Sequence, residues 1–212
     1  MSLPYLHSLS NVTVNDSLLY TDTSFVWESF GTQGGSTPTR QGECHSFSTN
    51  AVQNGSVFIA SPIIELELRN VAVKELLKHH APLLGYKWFE RKRIMSSVPN
   101  FMGQVHAQVD QIMSILSGDP SFIMLEKDAS HALASQISTK YNMDLNDSII
   151  LATMEQNGIN SIVTLDGDYV GVHDKNIQIY TNNHNYLKLL REYPNGVANN
   201  QGNNSGNTGT AS

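Results

Sequence analysis

One cysteine, Cys44, occurs in the whole chain, which rules out an intramolecular disulfide and a cysteine-rich zinc site and suits a reducing compartment. No apolar run approaches the roughly eighteen residues that a membrane span needs. Met1–Ser10 lacks the basic start and apolar stretch of a secretory signal. The expectation is a cytoplasmic protein with no membrane partner. Charged residues are sparse at 15 %, and a formal net charge of -6 argues against non-specific coating of nucleic acid, so any such contact has to be local. Neither GxxxxGK[S/T] nor GxGxxG is present, so a nucleotide cofactor is not expected. His79, His80 and His106 find no third ligand at a zinc-site spacing.

What is present suits one domain: 212 residues, 40 % of them hydrophobic, are enough to bury a sizeable core without splitting in two. Ser17–Thr21 reads as a short apolar strand ending at Asp22, with an amphipathic helix over Thr23–Phe30. Gly31–Ser56 is rich in Gly, Ser, Thr, Gln and Asn and loses periodicity, so it reads as a flexible insertion, in which Cys44 and His45 would lack the positioning a catalytic pair needs. Val57–Ala60 is a strand, and Ser61-Pro62 starts a helix carrying Glu65 and Glu67. Arg69–Leu116 reads as two or more helices broken by Pro82, Gly85 and Pro99.

Further along, Ser121–Leu125 is a strand and Asp128–Ile137 a helix. Asn146 is expected to cap a helix over Asp147–Gln156 that Gly158 stops. Strands follow at Ser161–Leu165 and, after a turn at Asp174–Asn176, at Ile177–Tyr180. A helix is expected over 182–193 and a disordered tail over 194–212, while residues 1–16 read as an N-terminal extension. Strands alternating with helices imply an α/β fold with a mainly parallel sheet.

In such sheets the carboxyl ends of the strands face the functional crevice. Asp22 and Asp166 each follow a strand, Asp168 stands two residues past Asp166, Asp147 opens the helix before that second strand, and Glu67 lies in the helix after a third. Each acid alone has a plain structural use as a cap, turn or solvated helix position. Together they would repel one another unless a cation intervened, and hard oxygen ligands select Mg²⁺ or Mn²⁺, ions that bind phosphates and activate water.

Three segments carry a resemblance: Leu19–Val26, Ala60–Leu68, and Asn146–Thr153 through Ile162–Tyr169. They are similar, in order, to the signatures of the PIN domain family, which includes VapC-type toxins. The resemblance implies a three-layer α/β/α sandwich around a central sheet of about five strands, spanning residues 17–181. It also implies a Mg²⁺ or Mn²⁺ site on Asp22, Glu67, Asp147, Asp166 and Asp168, and endonuclease activity on RNA. It selects Glu67 over Glu65, because Glu67 lies six residues after Ser61, and it gives Thr23, Ser24 and Thr164 the role of hydroxyls that orient the acids. In the toxin subgroup it implies an antitoxin partner, and family members also pair as homodimers through the middle helices. A housekeeping RNA-processing nuclease and an inactive RNA- or protein-binding module stay open as alternatives. A phosphotransferase using Asp22 as nucleophile would need a second Asp at the position of Ser24.

Seven of the thirteen Lys and Arg residues fall between Arg69 and Arg93. Lys87, Arg91, Lys92 and Arg93, interleaved with Tyr86, Trp88 and Phe89, read either as an RNA-gripping patch or as a solvated helix face whose aromatics enter the core.

Overall fold

A computed structural model describes residues 5–10, 12–31, 38–172 and 177–192. Six strands form one sheet: β1 (Tyr5–Ser8), β2 (Leu18–Thr21), β3 (Val57–Ala60), β4 (Phe122–Met124), β5 (Ser161–Val163) and β6 (Gln178–Thr181). Their order across the sheet is β1-β6-β5-β2-β3-β4, and every neighbouring pair is parallel.

Successive strand residues point to opposite faces, and here both faces are apolar. Leu19, Phe58, Val163 and Tyr180 enter one buried cluster, while Tyr20, Ile59, Ile162 and Ile179 enter the other. This double burial explains why the strands read as nearly continuous apolar runs. The first cluster is completed by α1 (Thr23–Phe30), α2 (Pro38–Gln53), most of α3 (Ile63–Leu83), α4 (Arg91–Ser97) and α5 (Phe101–Gly118). The second is completed by α6 (His131–Tyr141), α7 (Leu145–Gln156) and Tyr186 of α8 (His184–Glu192). The result is the expected three-layer α/β/α sandwich, with six strands rather than five.

The sixth strand corrects the reading of residues 1–16 as an extension outside the domain. Tyr5–Ser8 is the edge strand of the sheet, in register with Gln178–Thr181, and His7 stacks on Tyr180 with ring centroids 4.8 Å apart. Four residues, with Leu6 buried on the core side, give too short a pattern to be read before the distant partner is known.

The flexible insertion expected over 31–56 is also corrected. Residues 38–53 are the helix α2, which buries Cys44, Phe47 and Ala51. These are spaced i, i+3, i+7, the signature of one helical face, but the intervening polar residues dilute it. Phe47 packs edge-on to Phe25 and against Tyr180, at 5.9 and 5.4 Å between ring centroids. Residues 32–37 of that segment, the turn expected at Asp174–Asn176 and the tail over 194–212 lie outside the described residues.

Two helix starts differ from expectation. Asp144, not Asn146, caps α7, accepting the Asn146 N–H at 2.8 Å. Ser130 caps α6, so Asp128 precedes that helix and instead accepts the Ile63 N–H at the start of α3, at 3.2 Å. Gly158, at φ +65, ends α7 in the left-handed conformation that glycine adopts without strain.

Candidate active site

From β2 the chain builds outward in one direction through β3 and β4, then returns to place β5 on the other side of β2. The carboxyl ends of β2 and β5 therefore flank the point where the direction of sheet construction reverses, the position where open α/β sheets leave a crevice. Asp22 follows β2 and Thr164 follows β5. The two strands are tied at that end by the Asp22 N–H, which donates to Val163 O at 3.0 Å.

Asp22 is buried, with 4 % of its surface exposed. It caps α1, its Oδ2 accepting the Ser24 N–H, and the same oxygen accepts the Ser24 and Thr164 hydroxyls, the latter at 2.7 Å. Those hydroxyls are fixed in turn, because Ser24 Oγ accepts the Leu165 N–H and Thr164 Oγ1 accepts the Asp166 N–H, both at 2.9 Å. A side-chain network thus joins the start of α1 to the loop after β5. The structural and functional uses of Asp22 coincide here, since the capping geometry holds the carboxylate in one orientation.

The two glutamates of α3 separate. Glu65 pairs with Arg69 one turn on, at 2.5 Å, whereas Glu67 accepts the Thr23 hydroxyl at 2.5 Å and a hydrogen bond from the Asn146 side chain. Asp147 accepts the Tyr169 hydroxyl at 3.4 Å and feels the charge of Asp168. Asp166 and Asp168 are exposed on the loop, Asp168 opening a 3-10 turn over Asp168–Gly171.

Electrostatics bind these acids into one group. Burial, then the charges of Asp22, Asp166, Glu67 and Asp168 in that order, push the Asp147 carboxyl up to about 8. Burial, with the charges of Asp22 and Asp144, takes Glu67 up to about 7 against the hydrogen bonds from Thr23 and Asn146. Asp22 is also raised, by burial first and by Asp166, although Ser24 and Thr164 oppose the shift. Asp168 is raised by desolvation and by Asp166 and Asp144. Asp147 therefore senses all four of the other acids named from the sequence, and the three named hydroxyls each donate to Asp22 or Glu67. Among the described residues no three His, Cys, Asp or Glu side chains stand as a ready-made cation cage. Asp22, Glu67 and Asp147 accept hydroxyl donors instead.

Several neighbours were missed by sequence reading. Asp144 adds a sixth negative charge and Asn146 donates to Glu67; in the sequence both read only as local residues at the start of α7. Asn183 holds the acid loop by donating its amide to Leu165 O at 2.9 Å. Tyr186, fully buried on α8, has its phenol held above its usual range by burial and then by Asp166 and Asp168. Nothing in the sequence around Asn183 or Tyr186 signals this placement. The basic residues Lys87, Arg91, Lys92 and Arg93 lie beyond the far end of α3 from Glu67, on the connection to α4 and on α4 itself.

No protein-family model matches this chain, and no curated protein matches it. Among the described residues no helix is long and apolar enough to cross a membrane.

Proposed function

We propose that the protein is a divalent-metal-dependent endoribonuclease. The observation that carries this reading is the environment of Asp147, where one carboxyl senses the charges of four others supplied by β2, α3 and the loop after β5. A cluster of carboxylates that raise one another's pKa at the switch point of a parallel sheet is a site built to receive positive charge.

The donor set fits Mg²⁺ or Mn²⁺, since all five side chains offer hard oxygen. Asp22, Glu67, Asp147, Asp166 and Asp168 would hold the metal. When bound, it supplies an activated water and neutralises charge on the phosphodiester. The chain's own residues prepare that site. Ser24 and Thr164 lock Asp22, Thr23 and Asn146 orient Glu67, and Tyr169 holds Asp147 Oδ1. Glu67 and Asp147 retain carboxyl protons near neutral pH and give them up as positive charge arrives. The burial of Asp22, with one oxygen committed to two hydroxyls, weighs against its use as a covalent nucleophile.

The reading is tested by incubating a mixed RNA pool with Mg²⁺ or Mn²⁺ and sequencing the cleavage ends, beside Asp22→Asn. Metal-dependent internal cleavage that disappears in the variant is expected; equal cleavage by both proteins, or none by either, overturns it. A toxin held by an antitoxin and an RNA-processing enzyme differ in the cytoplasm of the host. Expression of the free chain should arrest growth in the first case, with Asp22→Asn harmless, and be tolerated in the second.

A further inference from the structure

The connection from α3 to α4 is unlike the rest of the surface. Trp88 and Phe89 are 50 % and 61 % exposed, in a chain whose other tryptophan, Trp27, is buried. Their rings meet edge-on, 6.3 Å apart and 76° between planes, so they present two differently directed aromatic faces. Lys87 Nζ stands 5.8 Å from the centre of the Phe89 ring. The one acid in the stretch, Glu90, is occupied locally by Arg93 and by the Lys87 N–H, both at 2.9 Å. Arg91 and Lys92 are exposed and form no ion pair among the described residues. A shallow cleft of about 590 Å³ runs along this corner, lined by Phe89, Glu90, Arg91, Lys92, Arg93 and Met95.

We propose that this corner, formed by Lys87, Trp88, Phe89, Arg91 and Lys92, is a platform for single-stranded RNA, distinct from the acid cluster. Unpaired cations attract phosphates, and exposed rings stack bases irrespective of sequence. Neither property alone selects that polymer, but their combination on an otherwise acidic protein does. A membrane surface is a poorer fit, because α4 turns Ile94 into the core and the exposed Leu83, Leu84, Trp88 and Phe89 lie at the end of α3 and on the connection rather than along one face of an amphipathic helix. Naming the polymer as RNA rests on the nuclease reading above. Glu67 and Leu83 share one helix and are separated along its axis by roughly 24 Å, so a strand must be long enough to run along α3 to engage platform and acids together.

The test uses the full chain carrying Asp22→Asn in EDTA, so that no RNA is cut, and follows tryptophan fluorescence, with Trp88→Ala as the reference that isolates Trp88, while a fluorescein-labelled 15-nucleotide RNA is scored in parallel by anisotropy. Oligouridylate and oligoadenylate should quench the exposed tryptophan. Phe89→Ala and Trp88→Ala should each weaken binding about tenfold, in line with the loss of one stacked base. Arg91→Gln with Lys92→Gln should reduce the slope of log K against log salt by about 1.4. The proposal is overturned if neither RNA binds, if inorganic polyphosphate or phosphatidylserine vesicles bind as tightly as RNA, or if the aromatic variants bind like the parent. Binding that persists while wild-type cleavage is absent removes the nuclease reading and leaves the platform. Cleavage without platform binding does the reverse.

Discussion

Thr164 donates its hydroxyl to Asp22 Oδ2 at 2.7 Å, joining residues 142 positions apart in sequence. Thr164 also accepts the Asp166 N–H, so one hydroxyl both orients the most buried acid and shapes the loop that carries two more. Thr164→Val keeps the shape and removes the hydroxyl. It should cost about 1–3 kcal/mol, the usual penalty for leaving buried polar groups without a partner. Urea denaturation reads this directly, and unchanged stability would mean that the bond contributes nothing. Metal-dependent cleavage should fall as well.

The acid cluster should make the metal-free protein less stable as pH rises. Asp147 and Glu67 titrate near 8 and 7 when folded, but near their ordinary 3.8 and 4.5 when unfolded. The folded state therefore holds these protons longer, and their stabilising contribution is complete below about pH 4. It is lost progressively as pH rises to about 8, by an amount on the order of 2 kcal/mol once the partial exposure of both side chains is discounted. Urea unfolding in EDTA at pH 5, 6, 7 and 8 should follow that slope, and Asp147→Asn should flatten it. A profile that rises with pH in the parent protein would contradict the raised pKa values. Added Mn²⁺ should reverse the trend, with proton uptake by the buffer on binding.

Cys44 offers a probe of α2. Burial, then the charge of Glu28, pushes its thiol up to about 12, so almost no thiolate is present at neutral pH. A thiol reagent such as DTNB should modify the native protein far more slowly than the urea-unfolded chain. Equal rates in the two states would show that α2 does not dock on the sheet.

Asp128 accepts the Ser61 hydroxyl at 2.5 Å and the Ile63 N–H at 3.2 Å, anchoring the first turn of the helix that carries Glu67. Asp128→Ala should destabilise the fold by about 1–3 kcal/mol. By loosening α3 it should also shrink the rise in melting temperature that Mn²⁺ produces in the parent. A normal Mn²⁺ response in a destabilised variant would confine Asp128 to a structural role.

The sequence by itself determined the parallel α/β class, because uninterrupted apolar strands such as Val57–Ala60 can be stable only when covered on both faces. It also determined that Asp22 and Asp166 stand at strand ends, since an acid that follows an apolar strand in a βα unit lands at the carboxyl edge. Tertiary structure decided what local pattern does not encode. Tyr5–Ser8 is a strand only because Gln178–Thr181 supplies its hydrogen bonds. Residues 38–53 hold as a helix because Cys44, Phe47 and Ala51 find a sheet face to bury against, despite a polar composition that argues otherwise. Glu65 and Glu67 differ by 200° around α3, so helix rotation sends one to Arg69 and the other to Thr23. Asp144 and Asp147 share a helix start; local geometry makes Asp144 the cap, and only the fold of α7 against the acid loop makes Asp147 the centre of the charge cluster.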